Sequence, residues 1–462
     1  MGRPFLREYD LRGRAVQLDD ADVCRLGHQL AASLQRADDR EPRVVVGRDA
    51  RLSSPRLRAA LIEGLLAGGV EVLDVGLGPS PLVYFSVHHF DADGGVMVTG
   101  SHNPPEDNGF KLMRGHRPLY GADLRALVAR LDQSPPPATR RGRVVPTAAE
   151  AAYVHHVGSS IHLGPRRLRV VIDAGSGAAG DLGVRALRSC GIDPVCLHCR
   201  PDGRFPHRDP DPQPDQLEAL RAAVLAEGAD VGLAWDGDGD RLAVLDGNGD
   251  YIDNDRVLVL FAQQVLADHP GSTILGEVRC SQALFDEVAR LGGRPMMCRA
   301  GHSYLKARLK DAGARLGGEL SGHFFFADRY LGFDDAIYAS LRLLEILSAR
   351  PGSIAERLRA VPFGHASPEV RMPCAPGSQA TVIEAVRASL DGTGEVSDVD
   401  GVRVRYPDGS WAVVRASHTG PHLVTRYEAP SEQRLRELRT SIETVIAVAL
   451  DLVPRTANGT AG

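Results

Sequence analysis

The stretch Val231-Gly232-Leu233-Ala234-Trp235-Asp236-Gly237-Asp238-Gly239-Asp240-Arg241 joins a short apolar run to three carboxylates that alternate with glycines. The apolar half reads as a buried strand, too short for a helix and rich in small and branched side chains. The acidic half follows it as a loop. Carboxylates at every second position can turn their oxygens toward one hard cation, and without a cation they repel one another. The plain alternative is a solvated acidic turn. The spacing is not that of an EF-hand, because the later ligand positions and the terminal Glu are missing.

Working outward, the same strand-then-loop texture recurs. Residues 44–46, 70–75 and 94–98 precede it, 168–172 and 195–197 flank it, and 273–275 and 295–297 follow. Helical apolar spacing lies between them, as at 54–66 with Pro55 in the first turn, and at 334–348, which predicts an amphipathic helix. Buried strands alternating with helices predict parallel sheets covered on both faces. After Pro362 the texture changes. Residues 402–406, 411–414 and 423–427 alternate or are strand-like, with helical segments at 379–390 and 432–450. That predicts an antiparallel sheet. The fold class expected is α/β: four domains around a central cleft, three mixed α/β sheet domains plus a C-terminal α+β domain with an antiparallel sheet. The expected boundaries are 1–150, 151–250, 251–365 and 366–462, with Ser134-Pro135-Pro136-Pro137 as the first linker.

Composition bounds the function. A chain of 462 residues fits three or four domains, and 43% apolar with 24% charged residues is ordinary for a folded globular protein. A formal charge of −5 argues against nucleic-acid binding. No apolar run approaches the roughly 18–20 residues of a membrane span, and the first thirteen residues mix Arg, Glu and Asp in a way no signal peptide does. Seven scattered cysteines predict reduced thiols and a cytoplasmic setting. Cys196 and Cys199 form an isolated C-x-x-C, read as a strand end. Gly175-Ser176-Gly177-Ala178-Ala179-Gly180 fits the dinucleotide fingerprint formally, but the next strand ends near Cys199-Arg200 without an acid to bind a ribose, so it reads as a tight packing turn. Only three basic residues are lysines: Lys111, Lys306 and Lys310.

Three more loops carry chemistry. Thr99-Gly100-Ser101-His102-Asn103-Pro104-Pro105 runs on to Asp107-Asn108-Gly109-Phe110-Lys111. It offers Ser101 as nucleophile or phosphate carrier, with His102 and Lys111 to steady an anion. Gly318-Glu319-Leu320-Ser321-Gly322-His323 spaces polar groups two apart, which suits adjacent sugar hydroxyls. Arg415-Ala416-Ser417-His418-Thr419-Gly420 offers a guanidinium, hydroxyls and backbone N–H groups to a phosphate. Singly, either of the last two is more often a plain turn.

In this order the four loops resemble the α-D-phosphohexomutase superfamily, nearest its bacterial phosphomannomutase/phosphoglucomutase branch. The resemblance extends to Arg7-Glu8-Tyr9-Asp10-Leu11-Arg12-Gly13, Gly47-Arg48-Asp49 with Ser53-Ser54-Pro55, Asp202-Gly203-Arg204-Phe205-Pro206 and Gly301-His302-Ser303, and so covers essentially the whole chain. It implies a reversible hexose 1-phosphate to hexose 6-phosphate mutase, for mannose, glucose or both, working through phosphoserine 101 and a hexose 1,6-bisphosphate. It implies one Mg²⁺ per chain on Asp236, Asp238, Asp240 and a phosphoserine oxygen of Ser101. Lys111, Arg12 and His323 are the candidates for proton transfer and for steadying the leaving oxygen. Arg241 would offset charge on the transferring group. Glu319 and Ser321 would bind sugar hydroxyls; Arg415, Ser417, His418 and Thr419 would hold the distal phosphate; His302 and Arg279 would assist with phosphate; Tyr9 would line the cleft. The cleft is expected to be positive, built from Arg12, Lys111, Arg241, Arg279 and Arg415. The partner expected is a phosphosugar alone, in a monomer or dimer, with no nucleic acid and no membrane.

The chain departs from the family pattern at Ser417-His418-Thr419-Gly420-Pro421, usually S-N-T-E-P, and at Arg279, usually Lys. The alternatives are a sugar-phosphate-binding homologue with weakened turnover, or a phosphoglucosamine mutase, which more usually has Gln where this chain has Leu320. Of the three lysines only Lys111 falls at a matched catalytic position, where a compact, titratable ammonium has a use that a guanidinium lacks.

Overall fold

The computed structural model describes residues 5–34, 40–133, 138–417 and 420–452. The 134–137 linker, His418 and Thr419 lie outside the described residues.

The first sheet runs Leu11–Arg14, Asp107–Arg114, Gly94–Val98, Arg43–Arg48, Glu71–Leu77, Arg143–Pro146. Its centre is parallel: Arg43–Arg48 pairs with Gly94–Val98 on one side and Glu71–Leu77 on the other. Strand periodicity explains the run Val44-Val45-Val46. Val44 and Val46 enter one apolar cluster with Leu57, Leu61 and Leu65 of helix Ser54–Ala67, while Val45 points the other way, to Leu82 and Val83 of helix Ser80–His89. The strand is buried on both faces, as a central parallel strand should be.

The second sheet runs Tyr251–Ile252, Leu242–Asp246, Val231–Trp235, Val170–Asp173, Val195–Leu197. The third runs Arg294–Cys298, Thr273–Glu277, Leu316–Gly318, Phe324–Phe326. The fourth is antiparallel throughout: His365–Ala366, His422–Ala429, Trp411–Ala416, Val402–Arg405, Glu395–Ser397, with Val370–Pro373 also on His422–Ala429.

The expectation of parallel sheets needs correcting at one edge of each of the first three. Gly94–Val98 is followed by antiparallel Asp107–Arg114, Val231–Trp235 by antiparallel Leu242–Asp246, and Leu316–Gly318 by antiparallel Phe324–Phe326. The sequence reading stopped at the polar loops and missed these return strands. The consequence is functional. All four chemistry-bearing loops are hairpin connections, the fourth between Trp411–Ala416 and His422–Ala429. A hairpin fixes both ends of its loop by backbone hydrogen bonds between the flanking strands.

One continuous apolar cluster crosses the first three sheets, from Val45 through Ile172 and Trp235 to Phe324 and Leu344. The fourth sheet has its own cluster around Val386, Val404 and Ile442. Helix Ala336–Ala349 sits inside the larger cluster. It is buried nearly all round rather than amphipathic, and even Arg342 and Glu345 are covered. Arg342 pairs with Asp328 at 2.9 Å over the Phe326 ring, and Trp235 donates to Ser340 Oγ at 2.9 Å.

The glycine fingerprint is a packing device. A Cβ on Gly180 would lie 2.1 Å from the Cys199 carbonyl, and Ala178 N–H donates to Gly237 O at 3.0 Å. The turn buttresses the acidic loop and leaves no room for a dinucleotide. Cys196 and Cys199 end a strand as expected, although Cys196 is exposed rather than buried; all seven cysteines are unpaired. Among the described residues no helix is long and apolar enough to cross a membrane.

Candidate active site

Ser101 lies in the first hairpin loop, buried, with a left-handed φ of +51°. A non-glycine residue there costs about 1–3 kcal/mol and persists only when the surroundings over-determine it. Arg51 does so. Its guanidinium, fully buried, donates to the carbonyls of Ser101 at 2.7 Å, Asn103 at 2.6 Å and Asp107 at 2.9 Å, and also to that of Pro104, while its Nε pairs with Asp49 at 3.1 Å. Asp49 also accepts from Thr99 Oγ1 at 2.8 Å, and Thr99 Oγ1 accepts the Ser101 N–H at 2.7 Å. The sequence reading quoted Asp49 but passed over Arg51. The available clue was an arginine two residues beyond the aspartate that ends a buried strand. Arg51→Ala leaves Asp49 uncompensated and several buried carbonyls bare, so it is expected to lower stability by about 3–5 kcal/mol. A loss under about 1 kcal/mol by urea titration would remove Arg51 from this role.

Facing Ser101 is the second loop. Ser101 Oγ–H donates to Asp236 Oδ2 at 3.0 Å, and Asp236 Oδ1 accepts the N–H groups of Asp240 and Arg241 at 3.0 and 3.1 Å. Asp236, Asp238 and Asp240 are fully buried and each presents an oxygen within 4.8 Å of the others. Lys111 Nζ donates to Asp238 at 2.7 Å and also to Asp240; Ser80 Oγ–H also donates to Asp238. Burial, then the Asp238 and Asp240 charges, hold the Asp236 carboxyl well above its usual range. Burial alone would lower the Lys111 pKa, but the two aspartates outweigh it and raise it well above the lysine value. The fit to a hard cation is good: Asp238 Oδ1 is buried with no hydrogen-bond partner, Asp240 Oδ1 has only His323 Nε2 beside it at 3.3 Å, and Asp236 faces the serine oxygen.

His323 of the third loop joins the cluster. Its Nε2 is 3.3 Å from Asp240 Oδ1 and its Nδ1 is 2.9 Å from Glu319 Oε2. Burial works to lower the His323 pKa, but those carboxylates push it up to about 9, so the ring is an imidazolium at neutral pH. Burial would raise the Glu319 pKa, but the hydrogen bond and charge of His323 bring it down to about 2. Ser321 Oγ lies 3.0 Å from His323 Nδ1, so the expected polar row of the third loop is one hydrogen-bonded unit. His302 stacks on His323 at 5.2 Å between ring centroids, and its Nδ1 is 3.0 Å from Asp334.

Three expectations change. His102 was expected to steady an anion, and it is placed to do so only as a neutral ring. Burial, then Arg241 and Arg12, hold its pKa well below 6.5, so it is neutral. Arg241 Nη2 sits 3.3 Å from its Nε2 and Arg12 Nη1 3.5 Å from its Nδ1, which also lies 3.3 Å from Ser101 Oγ. Tyr9 is more than lining. Its hydroxyl donates to Ala300 O at 2.6 Å and its ring lies where a Cβ on Gly301 would have to go, closing the first domain on the third.

The third concerns charge. The expected cleft cations are all compensated: Arg12 by Asp10 at 2.7 Å, Lys111 by two aspartates, Arg241 by Asp211 at 3.5 Å, Arg279 by Glu277 at 3.0 Å and also by Glu369, and Arg415 by Asp400 at 2.8 Å. Arg279 donates from Nε to Glu277 and from Nη1 to Glu369, and Glu277 also accepts Leu320 N–H of the third loop at 3.3 Å. Arg415 keeps Nη2 buried without a partner, and Asp400 ties it to the third domain by accepting Ala300 N–H at 3.1 Å. Ser417 follows in the same hairpin, its N–H donating to His422 O at 2.9 Å.

Comparison with known proteins agrees in extent. Family models for the three alpha/beta/alpha domains and the C-terminal domain of phosphoglucomutase/phosphomannomutase match residues 3–133, 151–249, 253–363 and 369–445. The chain is 40% identical over 440 residues to a phosphomannomutase/phosphoglucomutase of Pseudomonas aeruginosa, covering 94% of each. It is 38% identical over 450 residues to a phosphoglucomutase of Neisseria gonorrhoeae, covering 96% of this chain and 97% of the relative. A crystal structure of a phosphoglucomutase/phosphomannomutase family protein from Burkholderia thailandensis superposes with a TM-score of 0.89 at 38% identity, over 96% and 97% of the two chains. With four matched domains in order and a relative 40% identical over 94% of the chain, the chain belongs to the phosphoglucomutase/phosphomannomutase family.

Proposed function

We propose that this chain is a reversible phosphohexomutase, an isomerase that interconverts hexose 1-phosphate and hexose 6-phosphate through phosphoserine 101. The observation that carries this is Ser101 Oγ, held in a strained backbone 3.0 Å from a buried triple-aspartate loop. Asp236, Asp238, Asp240 and the phosphoserine oxygen would hold Mg²⁺, which when bound would supply positive charge against the transferring group. The remaining steps fall to side chains. Phosphoserine 101 gives its phosphoryl group to a free sugar hydroxyl, making a hexose 1,6-bisphosphate and freeing Ser101. The bisphosphate turns over in the cleft, and its other phosphate returns to Ser101.

His102 Nδ1 lies 3.3 Å from the serine oxygen with Arg241 on its other ring nitrogen, and the two steady the transferring phosphate. Lys111 and His323 are both protonated at neutral pH and sit at the acidic loop, which suits them to give up a proton to a leaving oxygen. Arg12 lies against Gly100 and Asn103 of the serine loop and offsets charge there. Glu319 and Ser321 accept and donate to sugar hydroxyls, while Arg415 and Ser417 hold the phosphate that is not reacting; His418 and Thr419, outside the described residues, complete that loop. His302 presents a buried, unpartnered Nε2 for a phosphate oxygen. The four-way division at 150, 250 and 365 and a cytoplasmic setting belong to the same proposal.

The test is a coupled assay with mannose 1-phosphate and glucose 1-phosphate, with Mg²⁺ and a trace of the 1,6-bisphosphate. Turnover of either sugar is the expected result; tight phosphosugar binding with turnover of neither would leave only the binding homologue. Glucosamine 1-phosphate turned over in preference to both would move the assignment to a phosphoglucosamine mutase. Arg415→Ala is expected to weaken phosphosugar binding by about 1.5–3 kcal/mol, the contribution of a charge-assisted pair. An unchanged Kd by calorimetry would take the clamp away from the fourth domain.

A further inference from the structure

Between the first and third domains lies a cavity of about 470 Å³. Tyr9, Lys111 and His302 border it and are the residues it shares with the catalytic site. Ser101, the three aspartates, Arg241, Glu319 and Arg415 do not border it. Its walls come from strand Asp107–Arg114 and helix Ser80–His89 on one side and helix His302–Asp311 with residues 313–315, Ala327 and residues 330–333 on the other.

Two features set it apart from the cleft. All three lysines of the chain border it, with Arg315, and no carboxylate does. Lys111 and Lys306 are paired elsewhere, Lys306 with Asp334 at 2.8 Å while standing 4.1 Å over the Tyr84 ring. Lys310 and Arg315 have no carboxylate within ion-pair distance among the described residues. This is the reverse of the cleft, where every expected cation is compensated. His88, stacked on His116 at 4.0 Å, shows the effect: burial, then His116 and Lys310, push its pKa down to about 4. The rest of the wall is apolar and aromatic, with Leu112, Met113, Leu309 and Phe333. A cavity of this size suits a drug-sized ligand, and apolar walls with a few convergent charges fix both its body and its orientation.

We propose that this cavity is a second ligand site that takes a phosphate monoester on a flat, apolar body, with the phosphate at Lys310 and Arg315 and the body against Tyr84 and Phe333. An occupant bridges the strand that carries Lys111 and the helix that begins at His302, and so clamps the first domain to the third.

The probe is phenyl phosphate, titrated calorimetrically into the wild-type chain, into Lys310→Glu/Arg315→Glu and into Arg415→Ala. Binding is expected in the wild type, to weaken about tenfold or more in the double variant, and to stay within about twofold in Arg415→Ala. Lys310 is exposed, so Lys310→Ala keeps the test open should the double variant fold poorly, and about threefold weaker binding is expected there. Turnover of hexose phosphate without the probe is expected to be unchanged in Lys310→Ala. No binding to the wild type, binding unchanged in both lysine variants, or binding lost in Arg415→Ala would each overturn the proposal; the last would mean that the probe occupies the catalytic cleft.

Discussion

Ser101→Ala is expected to abolish phosphoryl labelling of the protein and to reduce mutase turnover roughly ten-thousand-fold or more, the scale of removing a nucleophile from an intact site. Nothing else in the site can stand in for it. The serine oxygen is the one hydroxyl that faces Asp236, His102 and the acidic loop together, at 3.0 and 3.3 Å from the first two. Arg51 holds the backbone of the loop through carbonyls, so deleting the hydroxyl leaves the scaffold in place. A second variant separates chemistry from folding. Ser101→Gly removes the same hydroxyl and relieves the positive φ, so it should be as inactive as Ser101→Ala yet more stable by about 1 kcal/mol. Labelling of Ser101→Ala at full stoichiometry would mean that another residue carries the phosphate.

The second large effect is at Lys111. Its ammonium is 4% exposed and bridges Asp238 and Asp240. Lys111→Met leaves two buried carboxylates facing one another, a change expected to cost about 3–5 kcal/mol of stability. Mg²⁺ should restore part of that loss, because a cation that binds only the folded loop stabilises it by mass action. Thermal melts with and without the metal read both effects. Lys111→Arg keeps the charge, but a planar guanidinium is larger than the slot between Asp238 and Asp240 and replaces a compact point charge. Turnover is expected to fall roughly a hundred- to ten-thousand-fold, the range for losing a positioned proton donor. Near-normal turnover in Lys111→Arg would show that Lys111 supplies charge alone.

The expected strands and helices lie close to where periodicity put them, because burial on one or both faces writes its period into the sequence. Residues 231–235 form a strand to the residue, and 379–390 a helix to the residue. The antiparallel return strands were missed for a physical reason. Asp107–Arg114 carries Asn108 to bond Ser53 and Ser54, Gly109 where strand Leu11–Arg14 passes too close for a Cβ, and Lys111 for the acidic loop, so its pattern resembles a loop. Helix Ala336–Ala349 was read as amphipathic because its Arg and Glu look solvated in sequence, whereas Arg342 is fully buried against Asp328.

The sequence by itself determined the chemistry of this protein: a serine, three aspartates, a sugar-reading loop and an arginine loop, in an order that identifies the family. Those are local facts, since each loop holds its own reactive groups within a few residues. What only the tertiary structure decided is the state of those groups. Lys111 meets Asp238 across 127 positions of chain, and Ser101 meets Asp236 across 135. Burial and long-range partners, not residue type, make His102 neutral, His323 cationic and every expected cleft cation compensated. The rarity of lysine was visible at once; that all three line one cavity without a carboxylate needed two domains to be packed together.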